Sequence, residues 1–193
     1  MTVHTTRATL AVTASLLTVG LAGCAAPPGT PEPTANGEAT SAARDPLHID
    51  KPKSLRAIAD PCQLLTPAQL QHLNAGTPES GQSQWGQAEC TWRNQQLRIN
   101  IAPDTVQGQG LRWMAKTAGD GNGNPNAEVN GYPAVHYGIS SGSCGTYVGT
   151  SDKELFLVNF QTGSEGKGNP EYADPCAMAD RIAGLVLENV PSA

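Results

Sequence analysis

The chain is poor in aromatic and in charged residues: its 193 positions hold two Phe, three Trp and four Tyr, and Asp, Glu, Lys and Arg together make 15%. Basic residues are the rarer sign, 12 Lys and Arg against 17 Asp and Glu, and they form no stripe. Sequence-independent nucleic-acid binding needs clustered Lys and Arg to displace counterions, and electrostatic attachment to anionic lipid needs a basic patch, so neither class fits. There is no Cys-x-x-Cys pair, and His48, His72 and His136 share no metal-ligand spacing; no metal or other cofactor is expected. No apolar run reaches the roughly 20 residues of a permanent transmembrane helix.

Two strings imitate functional motifs without their context. Gly138-Ile139-Ser140-Ser141-Gly142 has the spacing of a hydrolase nucleophile elbow, a device that needs a helix directly after the Ser. In this family of folds an acid and then a His also follow the Ser, yet here Gly142-Ser143-Cys144-Gly145 leads into a strand and the last His is His136. Ser140 and Ser141 are read as turn residues. Asp120-Gly121-Asn122-Gly123-Asn124 opens like a calcium loop, but Pro125 and Gly131 stand where Gly and Glu belong, which favours a plain turn. No catalytic residue is assigned, and the chain is expected not to be an enzyme.

What is present begins at the N-terminus. Met1 to Arg7 carries the only positive charge of the opening and is followed by an uncharged run, Ala8 to Gly23, ending in small residues: the layout of a cleavable signal peptide over residues 1–23. Leu21-Ala22-Gly23-Cys24 then resembles the lipobox of bacterial lipoproteins. That resemblance implies cleavage before Cys24 and lipidation of Cys24 as a diacylglycerol-cysteine, with palmitate-type chains holding the protein to the extracytoplasmic face of the cell membrane. A thiol is the strongest side-chain nucleophile near neutral pH, and two or more acyl chains anchor stably where one is marginal. Loss of residues 1–23 removes Arg7 alone among the charged side chains, leaving 11 basic and 17 acidic residues and a formal charge of −6.

From Ala25 to about Pro46 the chain is Ala, Pro, Thr, Gly and Ser without a large apolar residue, too little apolar surface to offset ordering entropy. Residues 24–55 are therefore read as lipidated Cys plus flexible tether, with 47–55 ambiguous, and 56–193 as one globular domain of common size.

Within that domain, Thr66, Pro67 and Gln69 spell a capping box with Leu70 and Leu73 on one face. Asp174-Pro175 opens a longer helix with Met178, Ile182, Leu185 and Val186 as its apolar stripe. A middle helix is read from about Gly108 to Ala118, with Leu111, Met114, Ala115 and Ala118 inward. Leu97, Ile99 and Ile101 alternate with polar residues, as on a strand with one wet face. Asn130-Gly131 signals a hairpin, and Tyr132–Tyr137, Cys144–Thr150 and Glu154–Phe160 read as strands, the last apolar on both faces and so central. The fold class is α+β: an antiparallel sheet packed by N-terminal, middle and C-terminal helices. Trp85, Trp92 and Trp113 are assigned to core packing in preference to a ligand groove, with Trp92 beside a disulfide.

Besides Cys24 there are Cys62, Cys90, Cys144 and Cys176, an even number for a compartment that permits disulfides. Three pairings are possible. Cys62 with Cys90 and Cys144 with Cys176 is favoured, because it joins each capped helix to a nearby strand through a short loop, and each bridge would stabilise by roughly 3 to 4 kcal/mol.

The string Asp60-Pro61-Cys62-x-Leu64-Leu65-Thr66-Pro67-x-x-Leu70, then Cys90-x-Trp92, Val129-x-Gly131-x-Pro133-Ala134-Val135, Cys144 and Asp174-Pro175-Cys176 resembles a family of secreted actinobacterial lipoproteins that carry a domain of unknown function. The resemblance covers nearly the whole domain. It implies an envelope location and disulfides and supplies no catalytic residues. The leading expectation is a non-catalytic domain that binds an envelope ligand or protein partner; the alternatives are a small cell-envelope hydrolase and a structural or assembly partner of a membrane complex. Intact mass before and after alkylation without reductant should show no accessible thiol among the four domain cysteines; four reactive thiols would sink the disulfide reading.

Overall fold

The computed structural model describes residues 45–193; the signal segment, Cys24 and the tether as far as residue 44 lie outside the described residues. The strands are β1 Pro78–Gln82, β2 Ala88–Arg93, β3 Leu97–Asp104, β4 Ala127–Val129, β5 Tyr132–Ser140, β6 Ser143–Gly149 and β7 Leu155–Thr162, and the helices are α1 Pro67–His72, α2 Gly110–Thr117 and α3 Pro175–Asn189. All seven strands form one antiparallel sheet in the order β1-β2-β3-β7-β6-β5-β4. The segment with apolar side chains on both faces is thus the middle strand, as its lack of a wet face requires.

One face is closed by α3, which packs across β6 and β7. Its start follows from sequence: the Asp174 carboxylate accepts the Cys176 and Ala177 N–H groups at 3.0 Å each, with Pro175 at the first helical position, where its missing N–H costs nothing. Met178, Ala179, Ile182, Ala183, Val186 and Leu187 are buried. These residues centre the buried face between two i, i+4 rows, which leaves Leu185 at its border and only partly buried.

The Thr66–Gln69 capping box of α1 is formed in both directions. Asp60-Pro61-Cys62 makes a separate 3-10 turn, with Asp60 accepting from the Cys62 N–H at 2.9 Å. Asn189 Nδ2 donates to the Leu64 carbonyl at 2.9 Å and to Gln69 Oε1 at 2.7 Å, joining the end of α3 to α1.

The disulfides are Cys62–Cys90 and Cys144–Cys176, each with Cα atoms 5.0 Å apart. Both lie on the α3 side, with Cys90 and Trp92 fully buried in the same cluster. Residues 47–55, ambiguous in the sequence, pack onto the domain. Leu47 and Leu55 are buried, Lys53 bridges to Ser192, and the buried Glu154 carboxylate accepts the Leu55 N–H at 2.8 Å while pairing with Arg56 at 3.2 Å.

Asn130 (φ 51°) and Gly131 (φ 81°) form the turn between β4 and β5, both left-handed as a two-residue hairpin of this kind demands. The second face is covered only in part, by α2. Gly110 starts that helix at φ +57°, and a Cβ there would lie 2.3 Å from the Asp152 carbonyl oxygen, so the helix start sits directly against the β6–β7 turn. A left-handed L-residue costs about 1–2 kcal/mol and overpacking adds about as much again. Gly110→Ala should therefore lower the unfolding free energy in urea by about 3 kcal/mol, against about 1 kcal/mol for Gly121→Ala, which has the same kind of φ but open space around its Cβ. Equal losses would mean that α2 is not seated against that turn.

Candidate functional site

Strand alternation decides what the second face carries. In β3 the residues Ile99 and Ile101 turn toward α3, so Arg98, Asn100, Ala102 and Asp104 turn away; in β7 the same parity presents Leu155, Leu157, Asn159 and Gln161. The β3–β7 register sets Arg98 opposite Gln161, Asn100 opposite Asn159, Ala102 opposite Leu157 and Asp104 opposite Leu155. On β6, Gly145 stands opposite Asn159 and Tyr147 opposite Leu157. Rows across this face therefore pass from charged and amide-bearing at Arg98 and Asn100 to apolar at Ala102 and Leu157, with Asp104 beside Leu155 at the far end.

α2 lies over the apolar rows. Leu111 and Ala115 pack with Leu47, Val135, Tyr147 and Leu155 as a second, smaller core, with Met114, Ala118 and Leu157 partly buried at its margin. The Asp45 carboxylate accepts the Leu47 N–H and pairs with Arg112, which together hold its pKa below the usual carboxylate range. Beyond the helix the sheet is left open, and the result is a cleft of about 940 Å³ between α2 and the β1–β2 turn, at the upper end of small-molecule sites.

Two of its walls are tryptophans. Trp85 sits in the 83–87 turn, where the Ser83 hydroxyl accepts the Trp85 and Gln87 N–H groups at 3.2 Å each. Trp113 stands on α2. The expectation that Trp85 and Trp113 are core residues is corrected: they are 65% and 45% exposed, and both line the cleft, whereas Trp92 is fully buried. Trp113 falls between the inward positions Leu111 and Ala115, on the helix side that the narrow α2 contact leaves uncovered.

Tyr137 and Tyr147 form the third wall, their ring centroids 5.6 Å apart and tilted by 54°. The Tyr137 ring lies over Gly145, where a Cβ would meet it at 2.8 Å. Burial, with the nearby Tyr137 and Asp104, pushes the Tyr147 phenol up to about 12. Asn100 donates to the Thr91 hydroxyl at 2.9 Å, while the Arg98 guanidinium and the Asn159 amide have no side-chain partner among the described residues. The cleft thus combines aromatic walls, an apolar floor under α2 and, at its open end, hydrogen-bonding groups without side-chain partners among the described residues.

A second polar cluster lies on the opposite face. His136 Nε2 approaches both Asp180 oxygens, at 2.9 and 3.0 Å, and the Thr146 hydroxyl donates to Asp180 at 2.7 Å. The arrangement is an acid with a His but without a nucleophile, since the hydroxyl is turned to the acid and not to the imidazole. A His136 nitrogen and the Cys144 and Cys176 sulfurs lie within 4.8 Å of one another, but the sulfurs are bonded to each other and offer no thiolate to a metal. His48 and His72 are exposed and far from this group in the chain, His48 facing Asp50 at 3.3 Å.

The remaining sequence candidates are turns. Ser140 ends β5 and its hydroxyl is 2.9 Å from that of Ser143, so the Gly-x-Ser-x-Gly string is the tip of the β5–β6 hairpin. Asp120 accepts the Asn122 backbone N–H at 2.9 Å and its side-chain amide at 3.1 Å, bonds that lower the Asp120 pKa. Cys24 lies outside the described residues.

The Tyr147 phenol generates a pH prediction. It keeps its proton in the folded state to about 12, whereas the unfolded phenol loses it near about 10. Its contribution to stability is fully present below the lower value and is lost as pH rises toward the higher one. Tyr147→Phe should flatten the alkaline fall in the urea midpoint and delete the last phenolate to appear in absorbance; an unchanged alkaline profile would count against its burial.

No curated protein and no solved structure matches the chain. Residues 19–189 match the family described as protein of unknown function (DUF3558), and the chain belongs to that family.

Proposed function

We propose that this chain is an extracytoplasmic lipoprotein, held to the membrane by lipid on Cys24, whose domain binds a small ligand in the cleft beside α2. The observation that carries the binding half is the pair of exposed indoles, Trp85 and Trp113, across a cleft of about 940 Å³. Large exposed aromatic surface is costly to leave in water unless it is used, and a concave site with an apolar floor and a few convergent polar groups is the ordinary form of a ligand pocket. The anchoring half is supported by the signal-peptide layout and by Leu21-Ala22-Gly23-Cys24, a stretch within the family match that begins at residue 19.

A binding role fits the chemistry better than catalysis. The His136–Asp180 pair lacks a bonded nucleophile and lies on the α3 face, with the sheet between it and the cleft. The cleft carboxylates Glu89 and Asp104 are both on its margin and have no His beside them among the lining residues.

Two experiments test the halves separately. Cys24→Ala should abolish incorporation of a labelled palmitate analogue and move the protein out of the membrane fraction; retention of both label and location would overturn the anchor. The full chain, purified from its own membrane in mild detergent and measured by native mass spectrometry, should carry a small-molecule adduct. Ala102→Trp, which fills the cleft floor, should lose that adduct. A wild-type chain without adduct, whose tryptophan fluorescence is unmoved by sugars, lipids and peptides, would overturn the binding role.

A further inference from the structure

The cleft is graded along the strands, and the gradient specifies the ligand more closely than its size does. From Arg98 to Ala102 on β3 is four residues, about 13 Å, and over that distance the rows change from Arg98 and Gln161, through Asn100 and Asn159, to Ala102 and Leu157. α2 covers the apolar end and leaves the amide end open. Resting on the reading of this cleft as a binding site, we infer that its ligand is an amphiphile bound in one direction: an apolar chain under α2, and a neutral polyhydroxylated head, a sugar, on the Asn100–Asn159 row.

The head follows from the type of polar group and from the charge around it. A side-chain amide offers donors and an acceptor together, the complement of hydroxyls, which also donate and accept. Asn100 and Asn159 are direct cross-strand neighbours, about 5 Å apart at the backbone, so a single sugar ring can engage the Asn159 amide together with the Asn100 oxygen and the N–H that Asn100 does not give to Thr91. Across from Asn159, Gly145 contributes no side chain and Tyr137 leans over it, giving the ring an aromatic edge to pack against. The lining carboxylates Glu89 and Asp104 lie level with Ala102 and beyond it, away from the head row, and it is the amide pair that disfavours an anionic head, since an anion only accepts and would leave the Asn acceptor oxygens unmatched. A cationic head is disfavoured by Arg98, which has no side-chain partner among the described residues and borders the same row.

The chain follows from what α2 fails to cover. Met114, Ala118 and Leu157 are only partly buried at the edge of the second core, and Trp113 beside them is 45% exposed. These form a continuous apolar lip inside the cleft, suited to an alkyl chain and not to a second sugar.

The test uses four probes that share one octyl chain, each held below its micelle concentration, against the full chain in a buffer free of other glycoside detergents. The heads are β-glucoside, tetraethylene glycol, phosphocholine and sulfate. Tryptophan fluorescence reports binding, since Trp85 and Trp113 line the cleft and Trp92 is a buried constant background. The glucoside should bind about tenfold more tightly than any other head, the effect of one or two net hydrogen bonds. Asn159→Leu should cut that preference to about threefold or less while leaving the tetraethylene glycol compound unchanged, and Trp113→Ala should weaken all four. Equal affinities for the four heads, or tightest binding of the sulfate or phosphocholine compound, would overturn the sugar assignment while leaving a binding cleft. No fluorescence response to any probe would instead overturn the cleft as a binding site for amphiphiles.

Discussion

A seven-stranded sheet has two faces to keep from water, and this chain supplies helix enough for one face and part of the other. At about 4.8 Å per strand the sheet is about 29 Å between its outer strands. α3, with 15 residues, is about 22 Å long and, with α1 and the 3-10 turn before it, closes the first face. α2 has eight residues, about 12 Å, and reaches only the rows of Val135, Tyr147 and Leu155. Everything of interest on the second face follows from that shortfall, because strand residues beyond the reach of α2 must be compatible with water.

The chain meets this condition by changing character midway along its strands. β3 keeps apolar residues facing α3 throughout, with Leu97, Ile99 and Ile101 all nearly inaccessible, while its other parity runs from Arg98 through Asn100 to the buried Ala102. β7 makes the same transition in the opposite direction, from Leu155 and Leu157 to Asn159 and Gln161, as antiparallel pairing requires. The register that matches the two gradients is strongly specified, since a slip by one residue would turn Arg98 and Asn100 into the α3 core. Both disulfides lie on the α3 side. They join the 3-10 turn to β2 and α3 to β6, so the covalent constraint falls on the closed face and leaves the open one free of cross-links.

The closed face was largely legible in the sequence. Capping residues Thr66, Gln69 and Asp174 act locally, and their helices start where those side chains dictate. Asn130-Gly131 forms the turn its φ preferences select, and the two-sided apolarity of Leu155–Phe160 placed β7 in the middle of the sheet. Of the three pairings open to the four cysteines, the one favoured by the same helix–strand neighbours is the one that forms. The open face was hidden. β1, Pro78–Gln82, has no large apolar residue and every position is exposed, so no periodicity marks it; it is a strand because β2 pairs with it. Trp85 and Trp113 read as core because large aromatics are usually buried, and only the tertiary fact that α2 is too short to shield them exposes their rings. A sequence pattern records which side of a strand is apolar. It does not record whether a helix arrives to cover it.

This division also determines what the cleft can contribute to affinity and what it can contribute to selectivity. The rows under α2 are already mostly dry, so a chain entering there gains from the remaining surface of Met114, Leu157 and Trp113, at about 25 cal/mol per Å² removed from water, and gains it for any apolar chain. The amide rows are wet in the free protein. A head group bound there exchanges water hydrogen bonds for protein ones and profits by only about 0.5–1.5 kcal/mol for each, but a head that leaves Asn159 or Arg98 buried and unpaired loses about 1–3 kcal/mol. For the amphiphile proposed above, the apolar end would therefore set how tightly it is held, and the polar end, mainly through the penalty for a mismatch, which head group is accepted. A protein with a fully covered second face would have a larger core and no such discrimination.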